Sequence, residues 1–402
     1  MEYDWILRGG RVIDPASGTD EIRDVYVRGG RIVENSDEIA SCGGKTYPAG
    51  QAEDGGMVIS LGERIIDATG LIITPGLIDF HAHVYCPGSA LSVRADELLR
   101  QGTTTVVDAG TCGCADFDTF AETVIQRPGP RIRAFLNVAS GGLSNPDIPE
   151  DYDPAGYDTG RIEETIRRYG DGIIGLKIRL SKGIVPEDRA AFYLDECISL
   201  AGRLEERLGR RLRVCVHTTD SPVLAGDLAE MLRPGDIFCH CYAGAGSTIL
   251  TEKGEIDPKI LAARKRGVLF DAANGKANFS LDTAKRALAA GFLPDIISTD
   301  LTSMTCGDSP YVGSLPRILS KYMELGLSLP EAVRRCTAVP AAILGEEGRT
   351  GTLRPGARAD IAVFRLEDTP FMQKDFRGDT ITCRKLLVPV VTFLDGTILY
   401  RA

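Results

Sequence analysis

The stretch of sequence that decides the fold is Thr74-Pro75-Gly76-Leu77-Ile78-Asp79-Phe80-His81-Ala82-His83. It is an apolar run that ends in two histidines separated by one residue. Residues two apart on a β-strand point to the same face, and so both imidazoles can bind one metal ion. A single His-x-His pair is weak support for a metal site, because two polar residues at the end of any strand give the same pattern.

The remaining histidines repeat this placement. The chain has four histidines, and both His217 and His240 also close apolar, β-rich runs. Asp300 closes a further run, where a carboxylate is either part of a site or the N-cap of a following helix. We favour the site, with the N-cap as the alternative.

The middle of the chain alternates apolar, strand-like runs with helical patterns, which is typical of parallel βαβ units. The predicted strands end near His83, Gly110, Ala139, Leu180, His217, Tyr242, Asn274 and Asp300. The predicted helices are residues 93–101, 117–126, 162–169, 186–208, 223–231, 257–266, 281–290 and 315–324. Eight strands is the number of the TIM barrel, and so the sequence predicts an α/β protein with a (β/α)8 barrel.

Both ends of the chain are instead rich in short β patterns separated by turn signals. These runs are residues 5–8, 11–13, 24–27 and 31–33 near one end, and 351–353, 360–364, 388–393 and 397–401 near the other. We expect both ends to form one small composite β-sandwich domain. The predicted division is therefore 1–73 and 346–402 for the sandwich and 74–345 for the barrel.

The spacing of the polar strand ends is compatible with one site. Barrel active sites lie at the C-terminal ends of the strands, and each β/α unit takes about 31 residues. The interval from His83 to Lys177 is about three such units, and the interval from His240 to Asp300 is about two. Strands 1, 4, 5, 6 and 8 then each contribute to the same mouth of the barrel.

Lys177 interrupts an apolar strand, Ile173-Ile174-Gly175-Leu176-Lys177-Ile178. A lysine buried in a strand costs several kcal/mol unless it is paired or neutralised. It either pairs with an acid or, as a neutral amine, reacts with carbon dioxide to form an anionic carbamate that can bridge two cations. Composition does not choose between these alternatives.

The net charge limits the partners of the protein. The formal net charge is -10 and the chain has no Lys/Arg-rich run, which argues against nucleic acid and anionic lipid, since both bind to positive patches. No apolar stretch is long enough for a membrane span. We expect a cytosolic protein with a small-molecule partner, and leave a homo-oligomer open.

The eleven cysteines are scattered through apolar strands, as reduced, buried thiols are. Pairs such as Cys112-Gly113-Cys114 and Cys239-His240-Cys241 lack the spacing of a zinc knuckle. The pattern favours neither a disulfide scaffold nor a structural site of four cysteines.

The ordered set of motifs resembles the amidohydrolase superfamily over nearly the whole chain. The resemblance is carried by residues 75–83, the Gly175-Leu176-Lys177 strand, the two single histidines and Thr299-Asp300. Within the superfamily the chain is similar to the deacetylase and dihydroorotase-like group, through Val107-Asp108-Ala109-Gly110, Leu136-Asn137-Val138-Ala139-Ser140 and Phe279-Ser280.

The resemblance implies a binuclear metal site of the carboxylated-lysine type. In this arrangement His81, His83 and Asp300 hold one cation, His217 and His240 hold the other, and carboxylated Lys177 and a hydroxide lie between them. Zinc is the usual occupant, although manganese, cobalt and iron also suit nitrogen and oxygen ligands. Asp300 is then both ligand and catalytic acid-base, taking the hydroxide proton and passing it to the leaving group.

Four residues are candidates for substrate contacts. Arg179 lies two residues beyond Lys177 on the same strand face, where it either binds a substrate carboxylate or forms an ion pair at the barrel rim. Asn274 occupies a position where members of this superfamily often have histidine, so a role carried over to it is in doubt. Tyr242 and Asn278 are predicted to lie in loops.

The function that follows is hydrolysis of an amide or ester bond in a small polar molecule, such as an N-acyl amino acid or an acylated hydroxy acid. A cyclic amide substrate remains an alternative. Purine-type deamination is disfavoured because such enzymes of the superfamily usually lack the lysine, and a non-catalytic scaffold barrel is disfavoured because no ligand is missing.

Overall fold

The computed structural model describes residues 3–35, 45–48, 64–144 and 150–402. The strands are β1 (Trp5–Asp14), β2 (Thr19–Arg28), β3 (Arg31–Val33), β4 (Lys45–Pro48), β5 (Arg64–Asp67), β6 (Ile72–Pro75), β7 (Leu77–Ala82), β8 (Thr103–Asp108), β9 (Arg131–Asn137), β10 (Ile173–Arg179), β11 (Arg213–His217), β12 (Ile237–Cys239), β13 (Leu269–Asp271), β14 (Ile361–Glu367), β15 (Phe371–Lys374), β16 (Thr380–Cys383), β17 (Leu386–Leu394) and β18 (Thr397–Arg401). The α-helices are α1 (Ala95–Leu99), α2 (Phe117–Phe120), α3 (Thr159–Tyr169), α4 (Ala190–Leu208), α5 (Ala225–Met231), α6 (Pro258–Arg266), α7 (Leu281–Ala289), α8 (Leu315–Glu324), α9 (Leu329–Arg334) and α10 (Ala338–Ile343), with a π-helical turn at Ala121–Ile125 and 3₁₀ turns at Pro154–Gly156 and Gly170–Gly172. None of these helices has the length and apolar character needed to cross a bilayer.

A seven-stranded parallel sheet carries the middle of the chain, with β7 to β13 side by side in sequence order. Every residue of β7 and β8 is buried, as expected of parallel strands that are covered on both faces. One compact group of buried side chains, which we call the inner cluster, consists of Phe80, Val107, Phe135, Cys215, Ile237, Cys239, Ala273 and Ile296. These members come from five of the strands, from the segment after β13 and from the segment after α7, and so the sheet curls around them.

Residues 296–301 lie between the two edges of this sheet. Ile296 forms a parallel bridge to Asp271 in β13, and Leu301 forms one to Ala82 in β7. The amide of Asp300 also donates to the carbonyl of His81 at 2.7 Å. The segment contains no continuous strand, where the sequence predicted one, and Asp300 at its end has a left-handed backbone with φ of 52°.

The ends of the chain share one nine-stranded sheet in the order β18-β17-β14-β6-β1-β2-β3, with β5 also pairing with β1 and β4 pairing with β5. The antiparallel pairing of β14 with β6 joins the two ends. Packing of Trp5 against Phe393, with ring centroids 5.6 Å apart, ties the same ends together. The α/β class and a separate β unit from both ends are therefore confirmed.

The predicted strand at 351–353 is wrong. Gly351 has φ of 66°, and the carboxylate of Asp14 accepts hydrogen bonds from the Thr352 hydroxyl at 2.8 Å and the Leu353 amide at 2.9 Å. These bonds to a β1 side chain replace the backbone ladder that a strand would need.

The eight predicted helical patterns each contain an α-helix, most of them somewhat shorter than predicted. The patterns miss α9, α10 and the β15–β16 hairpin. Helices of six residues are too short to show a helical period, and Pro330 and Pro340 lie within their sequences.

Lys321 in α8 is a buried cation, with 1% of its surface exposed. Its Nζ lies 3.7 Å from the centroid of the Phe279 ring and has no hydrogen-bond partner among the described residues. Burial lowers the pKa of Lys321 to about 7, although Cys383 and Asp375 oppose the shift. The charged form is therefore destabilising in the folded protein.

We expect Lys321→Met to stabilise the protein by roughly 2 to 4 kcal/mol near pH 6. Between the folded pKa of about 7 and the unfolded value of 10.5 the unfolded wild-type chain binds more protons, so its unfolding free energy rises with pH. The variant should lack that rise, so the stability difference shrinks as the pH rises. Denaturant unfolding from pH 6 to 9.5 measures this, with the exposed Lys285→Met as control. If the unfolding free energies of wild type and Lys321→Met changed with pH in the same way, the expectation would be contradicted.

Candidate metal centre

Five of the six predicted ligands lie at or near the carboxyl ends of the parallel strands, and Asp300 lies in the segment between the two edges of their sheet. His217 ends β11, His240 follows β12 directly, and His81 and His83 lie at the end of β7 and just after it. A cavity of about 310 Å³ opens there, and every predicted ligand except His240 lines it. His240 lies behind His217 and contacts it. The structure therefore brings all six residues together.

The first ligand group consists of His81, His83 and Asp300. Asp300 Oδ1 lies 3.3 Å from His83 Nε2 and 3.6 Å from His81 Nε2. One ligand atom from each of the three residues lies within 4.8 Å of the others, and all three side chains are buried. Two imidazoles and a carboxylate at this separation form a site that suits a divalent cation.

The second group consists of His217 and His240, whose Nδ1 and Nε2 atoms lie 2.9 Å apart. The other ring nitrogen of His240, Nδ1, lies 2.7 Å from the carbonyl oxygen of Ala273. A carbonyl oxygen only accepts, so Nδ1 carries the proton and Nε2 presents its lone pair to His217. This fixed tautomer is the one that binds a cation through Nε2.

The charge states of these residues suit a cation. Burial lowers the pKa of His81 and His217 well below the usual value and lowers the pKa of His240 to about 3, so these imidazoles are neutral at pH 7. Burial alone would raise the pKa of Asp300, but the hydrogen bond with His83 and the electrostatic attraction of His81, His240 and His83 together outweigh it, and the pKa is lowered. Neutral imidazoles and an ionised carboxylate are the ligand forms that a metal ion requires.

Backbone strain is concentrated at the site. Five non-glycine residues of the described ranges have positive φ, and three of them are His240 at 59°, Ala273 at 35° and Asp300 at 52°. Such conformations cost of order 1–3 kcal/mol each and cluster where function requires a fixed geometry.

Carboxylates that the sequence analysis did not single out support the ligands. Thr111 Oγ1 lies 2.8 Å from His83 Nδ1 and donates to Asp108 Oδ2 at 2.8 Å. Asp271 Oδ2 lies 3.3 Å from His81 Nδ1. These acids end β8 and β13, within three residues of the predicted strand ends near Gly110 and Asn274, and that position was the signal that could have identified them. Such outer partners orient ligand imidazoles and set their tautomers.

Lys177 is 4% exposed and lines the cavity. Its Nζ donates to Cys215 Sγ at 3.5 Å. No carboxylate of the described residues forms an ion pair with it. The sequence left two alternatives for Lys177, pairing with an acid or carboxylation. The described residues show no acid that pairs with it.

Asp300 is held on its other side by Asn278, whose Nδ2 donates to Asp300 Oδ2 at 2.7 Å. The two carboxylate oxygens thus face different neighbours, because Oδ1 faces the histidines. A Cβ at Gly275 would lie 2.3 Å from Asp300 Oδ2, and Gly275 has φ of 56°. Only glycine allows the loop to approach the carboxylate this closely.

Arg179 lines the cavity and forms an ion pair with Glu150 at 2.6 Å. Glu150 also accepts a hydrogen bond from Tyr152 at 2.6 Å. The rim ion pair considered in the sequence analysis is thus formed. Lys276 also lines the cavity, and none of the described carboxylates forms an ion pair with it. The sequence analysis missed Lys276, which lies two residues after the candidate Asn274.

Two predicted substrate contacts lie elsewhere. Tyr242 is fully buried in the main hydrophobic core, and its hydroxyl donates to the Phe292 carbonyl at 2.7 Å. Asn274 is also fully buried, and its Nδ2 donates to the Ser298 carbonyl at 2.8 Å. Neither side chain lines the cavity, because each is turned toward the packing behind it. Of the four candidates, Arg179 and Asn278 line the cavity.

The chain is similar to several known hydrolases. The profile of the Amidohydrolase family matches residues 296–400. A deacetylase of Agrobacterium fabrum is 32% identical over 336 residues, which cover 81% of this chain and 78% of the relative. A deacetylase of Brucella anthropi is 31% identical over 81% of this chain and 79% of the relative.

Two solved structures have the same fold over almost the whole chain. A dihydroorotase matches with a TM-score of 0.80 and 28% identity, covering 99% of each chain. An adenine deaminase matches with a TM-score of 0.83 over 100% of each chain, but at 22% identity this likeness shows the fold alone.

Proposed function

Since this chain belongs to the amidohydrolase superfamily and is a hydrolase, we propose that it removes an acyl group from a small polar substrate by metal-dependent hydrolysis of an amide or ester bond. The observation that carries the proposal is the convergence of His81, His83, Asp300, His217, His240 and Lys177 on one cavity or directly behind it. A cavity of about 310 Å³ suits a small substrate.

The donor set fits two divalent cations. His81, His83 and Asp300 would hold one, and His217 and His240 would hold the other. The buried, neutral imidazoles and the fixed tautomer of His240 support this assignment. When bound, such cations supply Lewis acidity toward the acyl carbonyl and lower the pKa of bound water. Zinc suits the ligands, and manganese, cobalt or iron would also suit them.

We also propose that Lys177 is carboxylated. Its ε-amine would add to carbon dioxide, forming an N–C bond and releasing one proton to solvent. The product is an anion at the position where the ammonium has no described carboxylate partner. Burial disfavours an ammonium at this position, and a carbamate there would supply an anionic ligand for the cations that the histidines and Asp300 would hold.

Asp300 is proposed to act as the general acid-base. Its Oδ2 accepts a hydrogen bond from Asn278, while Oδ1 faces His81 and His83. The carboxylate would take a proton from the attacking water and deliver it to the leaving nitrogen or oxygen. Asn278 would keep the carboxylate from rotating between these two proton transfers.

The charges of the cavity favour a substrate that carries a carboxylate. Glu150 neutralises Arg179, which leaves Lys276 as a cation of the lining without a described counter-ion. An N-acyl amino acid or an acylated hydroxy acid would supply that counter-ion. We propose that Lys276 binds the substrate carboxylate and that Arg179 lines the same region.

We expect Lys276→Met to lower kcat/KM for N-acyl amino acids by about 10- to 100-fold, mainly through KM. A charge-assisted hydrogen bond contributes about 1.5 to 3 kcal/mol, and each 1.36 kcal/mol is tenfold. The measurement compares each substrate with its neutral carboxamide, and Lys276→Arg serves as the charge-preserving control. An equal loss of kcat/KM for the acid and for its carboxamide would show that Lys276 does not bind the substrate carboxylate.

A cyclic amide is the second candidate substrate, favoured by the match to a dihydroorotase structure over 99% of the chain. Ring opening of a cyclic amide would use the same attack and the same proton transfer by Asp300. It differs in that the new carboxylate and the leaving nitrogen remain in one molecule after the ring opens.

Metal analysis together with a substrate panel tests the proposal. We expect about two cations per chain and turnover of N-acyl amino acids or acylated hydroxy acids above that of cyclic amides and adenine. Removal of the cations with a chelator should abolish turnover, and zinc or manganese should restore it. Fewer than one cation per chain, or full activity after chelation, would refute the metal-dependent mechanism.

The same membership supports a finer description of the fold. We propose that residues 296–301 complete a (β/α)8 barrel as its eighth strand, given the bridges to β13 and β7. We further propose that residues 1–73 and 346–402 form a composite β-sandwich around the 74–345 barrel. The change from the terminal sheet to the parallel sheet lies between β6 and β7, at Gly76, a few residues beyond the first proposed boundary.

A further inference from the structure

Two cysteines lie together in the inner cluster, beneath the proposed catalytic site. Cys215 and Cys239 have their Sγ atoms 3.2 Å apart, and at most 1% of either residue is exposed. Lys177 Nζ contacts the Cys215 sulfur from the cavity side. The proposed hydrolysis uses neither thiol.

The strand register disfavours a disulfide between them. Cys215 in β11 is paired with Ile237 in β12, and Cys239 is two residues farther along that strand. Two residues along a strand and one strand spacing across place the two Cα atoms about 8 Å apart. A disulfide needs Cα atoms closer than about 7 Å and sulfurs about 2 Å apart.

The distance between the two sulfurs suits a shared cation better than a disulfide. Two thiolates on a tetrahedral zinc-sized ion, at about 2.3 Å each, have sulfurs roughly 3.8 Å apart. The pair would need to open by only about 0.6 Å from its present contact. Side-chain rotation on two fixed strands can provide this, whereas closing to a disulfide would move the backbone.

A third ligand is already in place. One ring nitrogen of His81 and both sulfurs lie within 4.8 Å of one another, and all three residues are buried. Asp271 Oδ2 lies 3.3 Å from His81 Nδ1, is buried, and has no hydrogen-bond partner among the described residues. This buried carboxylate therefore adds negative charge next to the Cys₂His group, which favours a cation held there.

We propose that Cys215, Cys239 and His81 form a second, thiophilic cation site, separate in its chemistry from the nitrogen and oxygen site above it. Soft thiolate ligands select d¹⁰ cations such as cadmium, mercury or copper(I). On binding, each thiol releases its proton to solvent and its sulfur forms one bond to the cation, with no change in oxidation state.

The site has a consequence for the hydrolase. His81 belongs to both ligand groups, and Cys215 contacts Lys177. A soft cation held below would draw His81 away from the cavity and would disturb the contact of Lys177 with the Cys215 sulfur. We therefore expect cadmium to inhibit turnover through the thiols, even when the catalytic cations are in place.

Cadmium titration of the metal-loaded, reduced protein tests the inference without turnover. The readout is the ultraviolet thiolate-to-cadmium charge-transfer band, which nitrogen and oxygen ligands do not produce. The variants are Cys215→Ser, Cys215→Ala, Cys239→Ser and Cys239→Ala, each checked for folding by thermal unfolding. Cys241→Ser is the matched control, since Cys241 is a buried cysteine after the same strand and outside the ligand group.

We expect one cadmium equivalent to give the band in the wild type and in Cys241→Ser, and the folded variants at 215 and 239 to lose it. Their apparent Kd for cadmium should rise by about 100-fold or more, beyond the 10- to 100-fold caused by loss of an outer partner. No band in the wild type, or a band that survives at either position, would overturn the inference. Because the band is read without substrate, its absence is independent of whether the protein is a deacylase.

Discussion

Replacing Asp300 with Asn should lower turnover by about 10²- to 10⁴-fold, the usual contribution of a positioned general acid-base. The amide keeps the shape of the carboxylate and one oxygen ligand but cannot take a proton. The side-chain amide of Asn278 can turn over, so that it accepts from the new amide instead of donating to Oδ2 at 2.7 Å. The variant should therefore keep much of its metal while losing kcat.

Steady-state kinetics and metal content measured on the same preparation check this expectation. Asp188→Asn, at an exposed position in the loop before α4, controls for the change of charge. Wild-type turnover in Asp300→Asn would remove Asp300 from the proton transfer. Loss of metal in parallel with turnover would make Asp300 a ligand without the acid-base role.

Replacing Lys177 with Ala should lower kcat/KM by about 10³-fold. The variant loses the anion proposed to lie between the cations, which stabilises the charged transition state by several kcal/mol, and each 1.36 kcal/mol is tenfold. A short carboxylate added to the buffer can occupy the space left by the side chain. We expect it to restore part of the activity and part of the metal content.

The carbamate itself is measurable by ¹³C NMR after exchange with labelled bicarbonate, with the variant as the blank. Lys182→Ala, at an exposed lysine just after β10, should behave as the wild type. If the wild type is active without a carbamate signal and carboxylates do not rescue Lys177→Ala, the lysine has a different role.

Much of the fold could be predicted because the hydrophobic period is strong where strands are fully buried. β7, β8 and β10 read as apolar runs, and their ends were located to within a few residues. The left-handed backbone of Asp300 could not be predicted, since the preceding Ile296-Ile297-Ser298 has the pattern of an ordinary buried strand. Likewise, the sequence around Gly351 does not indicate that Asp14, more than three hundred residues earlier, accepts the hydrogen bonds of this region.

In the candidate site, too, only part of the arrangement could be predicted from the sequence. The four histidines were identifiable because histidine is rare in this chain and each one ends a strand. The pairing of Arg179 with Glu150 and the burial of Tyr242 and Asn274 depend on rotamers and on loop paths. Such contacts join residues from different β/α units, and local sequence patterns do not encode them.

The sheet that joins the two ends of the chain constrains how the protein is made. β6 has β1 on one side and β14 on the other, but β14 is synthesised almost three hundred residues later. At about 5 to 20 residues per second, β6 waits many seconds on the ribosome with one edge unpaired. Such an open edge is a template for pairing with other chains. The terminal strands β14, β17 and β18 therefore close an aggregation-prone edge as well as completing a domain.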